Sequence, residues 1–123
     1  MSPVELKKNK NQALSTVVGA TLTSVKFALD HLVLSFGENG SLTTLIWPLI
    51  TASGRTLANG AGGYRDQLCE LIGHAVKSAL IDDEEAISIF FANGQDLFIS
   101  LSTYAGKVER AILARPGNSP LFL

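Results

Sequence analysis

Two Asn-Gly pairs restrict the fold of this chain more than any other feature. Asn39-Gly40 and Asn93-Gly94 lie 54 residues apart, and apolar runs flank each pair. Asn-Gly between apolar-rich segments is the strongest short-range signal for a β-hairpin, because both central residues of a type I′ turn need positive φ. The pairs therefore predict two hairpins, each closed by a two-residue turn.

The sequence around these pairs repeats. Residues 18–47 align with residues 72–101 without a gap, and Gly19 falls on Gly73. Each of these glycines ends a short apolar segment, which is where the left-handed residue after a helix is expected. Each copy therefore predicts a short helix, a glycine stop and three strands. The predicted strands are 21–28, 31–37 and 41–47 in the first copy, and 75–81, 86–92 and 95–101 in the second.

The predicted fold class is α+β, with two copies of a helix plus three-stranded antiparallel β-meander packed into one domain. The copies span residues 11–47 and 65–101, and a Gly-rich linker, residues 48–63, joins them. A chain of 123 residues is long enough to bury one core without disulfides or metal ions. We therefore expect residues 1–123 to form a single domain.

The second predicted hairpin is apolar on both faces. A two-residue turn at Asn93-Gly94 places Phe90 opposite Leu97 and turns four apolar side chains to the reverse face. A strand that is apolar on both faces needs cover on both, from the first copy or from a second chain. The candidate interface residues on the reverse face are Ile87, Ile89, Phe91 and Phe98.

A glycine-rich segment precedes the predicted second helix. Glycines before a helix can hold an anion, because free backbone N–H groups and the positive end of the helix dipole point toward it. The segment lacks the Gly-Lys-Ser/Thr of a phosphate-binding loop and the βαβ frame of a dinucleotide site, so a flexible linker is the competing interpretation. The candidate ligand-binding residues are Arg55, Gly60, Gly62, Gly63 and Arg65.

The remaining reactive side chains do not form a catalytic pattern. His31, His74 and Cys69 have no metal-ligand spacing, and Cys69 has the acidic neighbour Glu70 rather than a base. The acidic run 82–85 fits a solvated turn, and a divalent cation is its other interpretation. We therefore predict no catalytic residues, no metal site and no cofactor, and we expect a protein that is not an enzyme.

Charge and composition limit the partners. The 10 Lys and Arg residues are balanced by 11 Asp and Glu, which argues against a nucleic-acid partner. No apolar run reaches the roughly 20 residues that cross a membrane, so no membrane partner is expected. One cysteine is typical of a reducing compartment, and the expected location is cytoplasmic.

Motifs in the second half resemble those of a group of small bacterial proteins that contain a domain of unknown function. The motifs are Leu71-Ile-Gly73, Phe91-Ala-Asn-Gly94 and Ile99-Ser-Leu101, and the resemblance spans residues 64–113. The chain departs from the group's last motif at 106–111, where a proline is missing and an arginine is inserted. The resemblance implies a bacterial source and carries no activity with it.

The leading functional hypothesis is a non-enzymatic protein-interaction module whose partner is another protein or a second copy, as in a homodimer. Its basis is the excess of apolar strand surface, since 46% of the residues are hydrophobic and only 17% are charged. The alternative is a small anion- or ligand-binding protein, or an enzyme, that uses the Gly60–Gly63 loop. The apolar tail, residues 119–123, either docks on its own domain or contacts a partner.

Overall fold

The computed structural model describes residues 3–82, 86–101 and 111–123, with the backbone alone at 3, 4, 6 and 7. Those residues form ten strands, two α-helices and two short 3-10 segments, Ser15–Val17 and Gly37–Asn39. The helices are α1 (Pro3–Leu14) and α2 (Tyr64–Cys69). The strands are β1 (Ser24–Phe27), β2 (Leu32–Ser35), β3 (Ser41–Thr44), β4 (Leu49–Ala52), β5 (Arg55–Leu57), β6 (Val76–Ile81), β7 (Ala86–Phe91), β8 (Asp96–Ser100), β9 (Ala111–Ala114) and β10 (Leu121–Phe122).

The predicted fold class is wrong. The protein is mostly β, and its strands form two five-stranded antiparallel sheets rather than two copies of a helix plus a three-stranded meander. Sheet one has the order β1-β2-β3-β9-β10, and sheet two has the order β5-β4-β8-β7-β6. Each sheet recruits two strands from segments outside the predicted copies, which is why a three-stranded unit does not describe either.

The segment 48–63, predicted as a linker, contributes the hairpin β4–β5 to sheet two. Its turn is Ser53-Gly54, where both residues have positive φ, 52° and 77°, and Ala52 pairs with Arg55. This is the two-residue turn that fits the twist of an antiparallel pair. It occurs here at Ser-Gly rather than at the Asn-Gly pairs.

The two Asn-Gly hairpins have three-residue loops instead. The Phe36 N–H donates to the Gly40 carbonyl, and the Phe91 N–H donates to the Gln95 carbonyl. The first register is therefore shifted by three residues from the predicted one, and the second by one. An odd shift exchanges the faces of one strand relative to the other, so the predicted division of side chains between the two faces of each hairpin is wrong.

The corrected register explains the core. In sheet two, Ile87 pairs with Ile99 and Ile89 with Leu97, and all four side chains are buried. In sheet one the row Leu34, Leu42 and Leu113 is buried in the same way. Both inner faces belong to one hydrophobic cluster, which also includes Leu14 of α1 and Leu68 of α2.

Four backbone hydrogen bonds join residues 19–22, which precede β1, to residues 73–76, which lead into β6, around an isolated antiparallel bridge between Thr21 and Ala75. Each bond has a counterpart in which donor and acceptor segments are exchanged. The bonds run from Gly19 N–H to Val76 O, Gly73 N–H to Leu22 O, Leu22 N–H to His74 O and Val76 N–H to Ala20 O. The arrangement is locally two-fold, as at an interface between like units. The repeat of residues 11–47 and 65–101 stays a prediction.

The C-terminal segment docks on its own domain. Leu121 and Phe122 pair with β9, Leu123 is buried, and its N–H donates to the Ala111 carbonyl. Of the segment 107–114, predicted as a helix or a last strand, residues 111–114 are strand β9 and the others lie outside the described residues.

Candidate functional site

The outer face of sheet two carries four large apolar side chains in water, which we call the apolar strip. They keep 37% to 51% of their surface exposed, and they are Leu49 on β4, Leu80 on β6, Phe90 on β7 and Phe98 on β8. Strand alternation places them there, because their neighbours along each strand point into the core. The strip is a regular sheet surface built on four adjacent strands.

The register brings the strip together. Phe98 lies between Leu49 on one neighbouring strand and Ser88 on the other, and Ser88 pairs in turn with Leu80. Phe90 lies two residues beyond Ser88 on the same face, where it pairs with Asp96. Leu49, Phe98 and Leu80 thus form one row across the sheet. Only Ser88 lies between them, and its small side chain leaves the row accessible.

The predicted interface residues divide between the two faces of sheet two. Ile87, Ile89 and Phe91 are buried in the core, and only Phe98 lies on the outer face, 39% exposed. Burial leaves Phe98 as the member of the set that a partner can reach. Their burial does not test the prediction that these residues form an interface. Of the four, only Phe98 can belong to a contact surface on the outer face of sheet two.

Three members of the strip, Leu49, Leu80 and Phe90, were missing from the sequence-based set. Leu49 lies in the segment predicted as a linker. Phe90 was paired with Leu97 on the face opposite to Phe98, because the hairpin was given a two-residue turn. A three-residue loop closed by Phe91 and Gln95, with Gly94 at positive φ, would have placed Phe90 and Phe98 on the same face.

The glycine-rich loop borders a shallow depression of about 290 Å³. Gly60 and Gly63 have positive φ, 96° and 83°, which glycine adopts without strain. Three of the five predicted ligand-binding residues, Gly60, Gly63 and Arg65, line it, whereas Arg55 and Gly62 do not. The full lining is Asn59, Gly60, Ala61, Gly63, Tyr64, Arg65 and Asp66.

The charges around this depression do not converge on an anion. The Arg65 guanidinium carbon lies 5.5 Å from the centroid of the Phe27 ring, a cation–π contact. Asp66 adds a carboxylate to the lining. The helix that follows, α2, has only six residues.

Tyr64, the first residue of α2, fixes this helix to the core. Its side chain is buried, and its hydroxyl donates to the Pro48 carbonyl at 2.5 Å. Burial raises the pKa of Tyr64 to about 12, because the phenolate would have to lose its hydration. The residue therefore holds α2 against the start of β4 rather than serving as an exposed proton donor.

The other candidates for chemistry stand apart. The His31 ring contacts the adjacent Asp30 carboxylate at 2.7 Å, and Cys69 is exposed. Within the described ranges, no three His, Cys, Asp or Glu side chains form a group that could hold a metal ion. Of the acidic run 82–85, only Asp82 lies in the described part of the chain.

The described part of the chain has no helix that is both long and apolar enough to cross a membrane. No family model matches the sequence, and no curated protein or solved structure matches it either. The function must therefore be argued from the site itself.

Proposed function

We propose that this chain is a non-enzymatic protein-interaction module that self-associates through the apolar strip of Leu49, Leu80, Phe90 and Phe98. The observation that carries the proposal is the exposure of these four side chains side by side on one regular sheet face. Scattered exposed apolar residues are ordinary, but a contiguous group on one face is typical of a contact surface.

A second copy of the chain is the occupant that fits the strip. A two-fold dimer uses the same patch on both subunits, and an apolar sheet face is complementary to itself. The formal net charge is only −1, so electrostatic repulsion between two copies is small. The strip consists of apolar side chains and a serine, so a protein surface is a better partner for it than a nucleic acid. Nucleic acids are bound by basic side chains.

The face of sheet two is a better contact surface than its β6 edge. The Asn11 side chain binds both the N–H and the carbonyl of Ile81, at 2.7 and 3.1 Å, and so occupies the edge at that residue. At the other end of β6, the Val76 carbonyl accepts from Gly19. A strand of a partner could not add to this edge without displacing these bonds.

The expected dimer is weak. Complete burial of a Leu or Phe side chain contributes about 1.5–3 kcal/mol, so burying the exposed part of the strip in two copies contributes on the order of 5–10 kcal/mol. Association costs roughly 4–15 kcal/mol in lost freedom of motion. The two terms are comparable, and we expect dissociation in the micromolar range or weaker.

Sedimentation velocity over a concentration series tests the proposal. We expect the average mass to rise above 13.1 kDa with concentration, and Phe98→Ser to shift the rise to about tenfold higher concentration, the effect of about 1.4 kcal/mol of lost apolar burial. Phe122→Ser is the matched control, because Phe122 is 47% exposed on sheet one. A mass of 13.1 kDa at every concentration would refute self-association.

The alternative, an anion- or ligand-binding protein or an enzyme, has one supporting observation, the depression beside Gly60 and Gly63. Inorganic phosphate is the simplest probe. A ligand at 100 times its dissociation constant adds about 2.7 kcal/mol to stability. Stabilisation of the wild type by phosphate that is lost in Arg65→Ala would favour this alternative, and a flat titration would count against it.

The cytoplasmic location belongs to the same proposal. Its support is the single cysteine, Cys69, which is exposed as a free thiol. An exposed thiol stays reduced most easily in a reducing compartment.

A further inference from the structure

We propose that Asn59-Gly60 is a site of spontaneous deamidation, which converts an amide on the rim of the depression into a carboxylate. The sequence contains three Asn-Gly pairs, at Asn39, Asn59 and Asn93. Glycine after asparagine favours this reaction in general, because no Cβ hinders the approach of the glycine nitrogen to the asparagine side chain. The structure distinguishes the three pairs.

The reaction needs no partner other than water. The Gly60 backbone nitrogen attacks the Asn59 side-chain carbon, Cγ, and forms a C–N bond. The Cγ–Nδ2 bond breaks, and ammonia leaves with the proton that the backbone nitrogen has lost. Water then opens the cyclic imide at either carbonyl, which gives aspartate or isoaspartate. No electrons are gained or lost.

At Asn39-Gly40, both reacting groups, the Asn39 side chain and the Gly40 backbone nitrogen, are held in place. The Asn39 side-chain amide donates to the Thr16 carbonyl at 2.9 Å, and the Gly40 N–H faces the Gly37 carbonyl at 3.4 Å. A Cβ at Gly40 would overlap the Ala114 carbonyl oxygen, so this backbone packs directly against β9. The glycine nitrogen cannot rotate toward the side chain without separating β3 from β9.

Asn93-Gly94 is held by its own loop. The Asn93 side-chain oxygen accepts from the Gln95 N–H at 3.1 Å, and the Asn93 amide donates to the Gln95 side chain. The Gly94 N–H donates to the Phe91 carbonyl at 3.1 Å. Cyclisation must break these bonds, each of which raises the activation free energy.

Asn59-Gly60 has none of these restraints. Both residues are exposed, and neither has a hydrogen-bond partner within the part of the chain that the structure describes. No atom lies within 4 Å of a Cβ built on Gly60. The Gly60 nitrogen and the Asn59 side-chain carbon are therefore free to approach, which distinguishes this pair from the other two Asn-Gly pairs.

The product changes the charge of the depression. One carboxylate, Asp66, and one cation, Arg65, line the depression now. Conversion of Asn59 would add a second carboxylate to the lining. The formal net charge of −1 becomes more negative by one unit. The inference is independent of the apolar strip, which lies on the strands of sheet two.

Peptide mapping of the full-length protein after incubation in mildly alkaline buffer tests the inference. Trypsin cleaves after Lys26, Arg55, Arg65 and Lys77, so each Asn-Gly pair lies on a different peptide. We expect position 59 to convert at least about tenfold faster than positions 39 and 93, the ratio that about 1.4 kcal/mol of activation free energy produces.

Two controls make the result specific. In denaturant the three pairs should convert at similar rates, because each asparagine is followed by glycine and the folded structure no longer restrains any of them. Asn59→Gln should abolish the new acidic species in ion-exchange chromatography while circular dichroism shows an unchanged fold. Conversion at 59 that is no faster than at 39 or 93 in the folded protein would overturn the inference.

Discussion

The burial of Tyr64 affects its ionisation directly. It is 2% exposed, its hydroxyl donates to the Pro48 carbonyl, and its pKa is raised to about 12. A buried phenol is stable only while it is protonated. Its contribution to folding is therefore complete below the ordinary tyrosine pKa near 10, and it is lost as the pH rises through about 12.

We expect Tyr64→Phe to lower the free energy of unfolding by about 1 kcal/mol at neutral pH, because the Pro48 carbonyl loses its donor. Between pH 10 and pH 12 the wild type should lose about 2 kcal/mol more than the variant, since only the wild type must ionise this buried phenol. Urea titrations followed by circular dichroism at several pH values measure both terms.

The other groups that titrate in this pH range do not affect the difference between wild type and variant. Lysine side chains and Tyr104 are present in both proteins, so their titration cancels in the difference. The informative quantity is the difference between the two unfolding free energies, which should shrink above pH 10 and change sign before pH 12, where the variant becomes the more stable protein. A constant gap from neutral pH to pH 12 would mean that Tyr64 ionises as readily in the folded chain as in the unfolded one.

At the scale of elements, the sequence located strands more reliably than it paired them. Strands β1–β3 and β6–β8 all lie within the predicted ranges. Apolar runs and turn residues are local signals, and they locate strands well. The register depends on loop length, which the two Asn-Gly pairs suggested incorrectly, and an odd error exchanges faces. For this reason Phe98 was grouped with Ile87, Ile89 and Phe91, which lie on the buried face of the sheet.

The hairpin β4–β5 was missed for a different reason. Its strands have only four and three residues, and they lie outside the repeat that located β1–β3 and β6–β8. The turn signal Ser53-Gly54 was hidden among the other glycines of the segment 48–63. The candidate site was correspondingly incomplete, because Leu49 enters the apolar strip only when β4 pairs with β8.

The glycines of the two Asn-Gly hairpins should tolerate substitution very differently. Gly40→Ala places a Cβ against the Ala114 carbonyl, where β3 and β9 begin to pair, and we expect a loss of more than about 3 kcal/mol. Gly94→Ala meets no atom within 4 Å, and its cost is the strain at a φ of 89°, about 1–2 kcal/mol.

Urea unfolding followed by the fluorescence of Trp47 measures this difference in a matched pair of variants. Trp47 packs partly buried against the core, so its emission reports unfolding of both sheets. If Gly40→Ala does not unfold the protein outright, the difference between the two variants should exceed about 1 kcal/mol. Equal costs would show that β9 does not pack as closely on Gly40 as the structure indicates.

At the scale of the whole molecule, two sheets are held in one unit by a shared core and by the backbone bonds around Thr21 and Ala75. The reciprocal bonds follow the 54-residue spacing, since Gly19 exchanges its role with Gly73 and Leu22 with Val76. Beyond the connections β1–β2 and β6–β7 the spacing is 55 residues, because Leu32 pairs with Phe27 as Ile87 pairs with Ile81. Four residues separate the paired Phe27 and Leu32, and five separate the paired Ile81 and Ile87, so an alignment without a gap is displaced by one residue beyond this point.

The local two-fold arrangement leads to a quantitative expectation about its two glycines. Gly19 and Gly73 have φ values of 85° and 94°, and each donates its N–H across the junction at 2.8 Å. An alanine at either position meets no atom within 4 Å, but it cannot relax from positive φ without breaking that bond. Gly19→Ala and Gly73→Ala should therefore each cost about 1–2 kcal/mol and agree within about 0.5 kcal/mol.

Gly54→Ala provides the control for strain alone, because Gly54 also has positive φ and open surroundings but lies in the exposed turn of β4–β5. That turn can relax, so its cost should be smaller than at Gly19 or Gly73. Each variant should still unfold in one transition, since both sheets contribute to one core. A large cost at Gly19 with none at Gly73 would show that the two halves of the junction are not energetically equivalent, whatever their geometry.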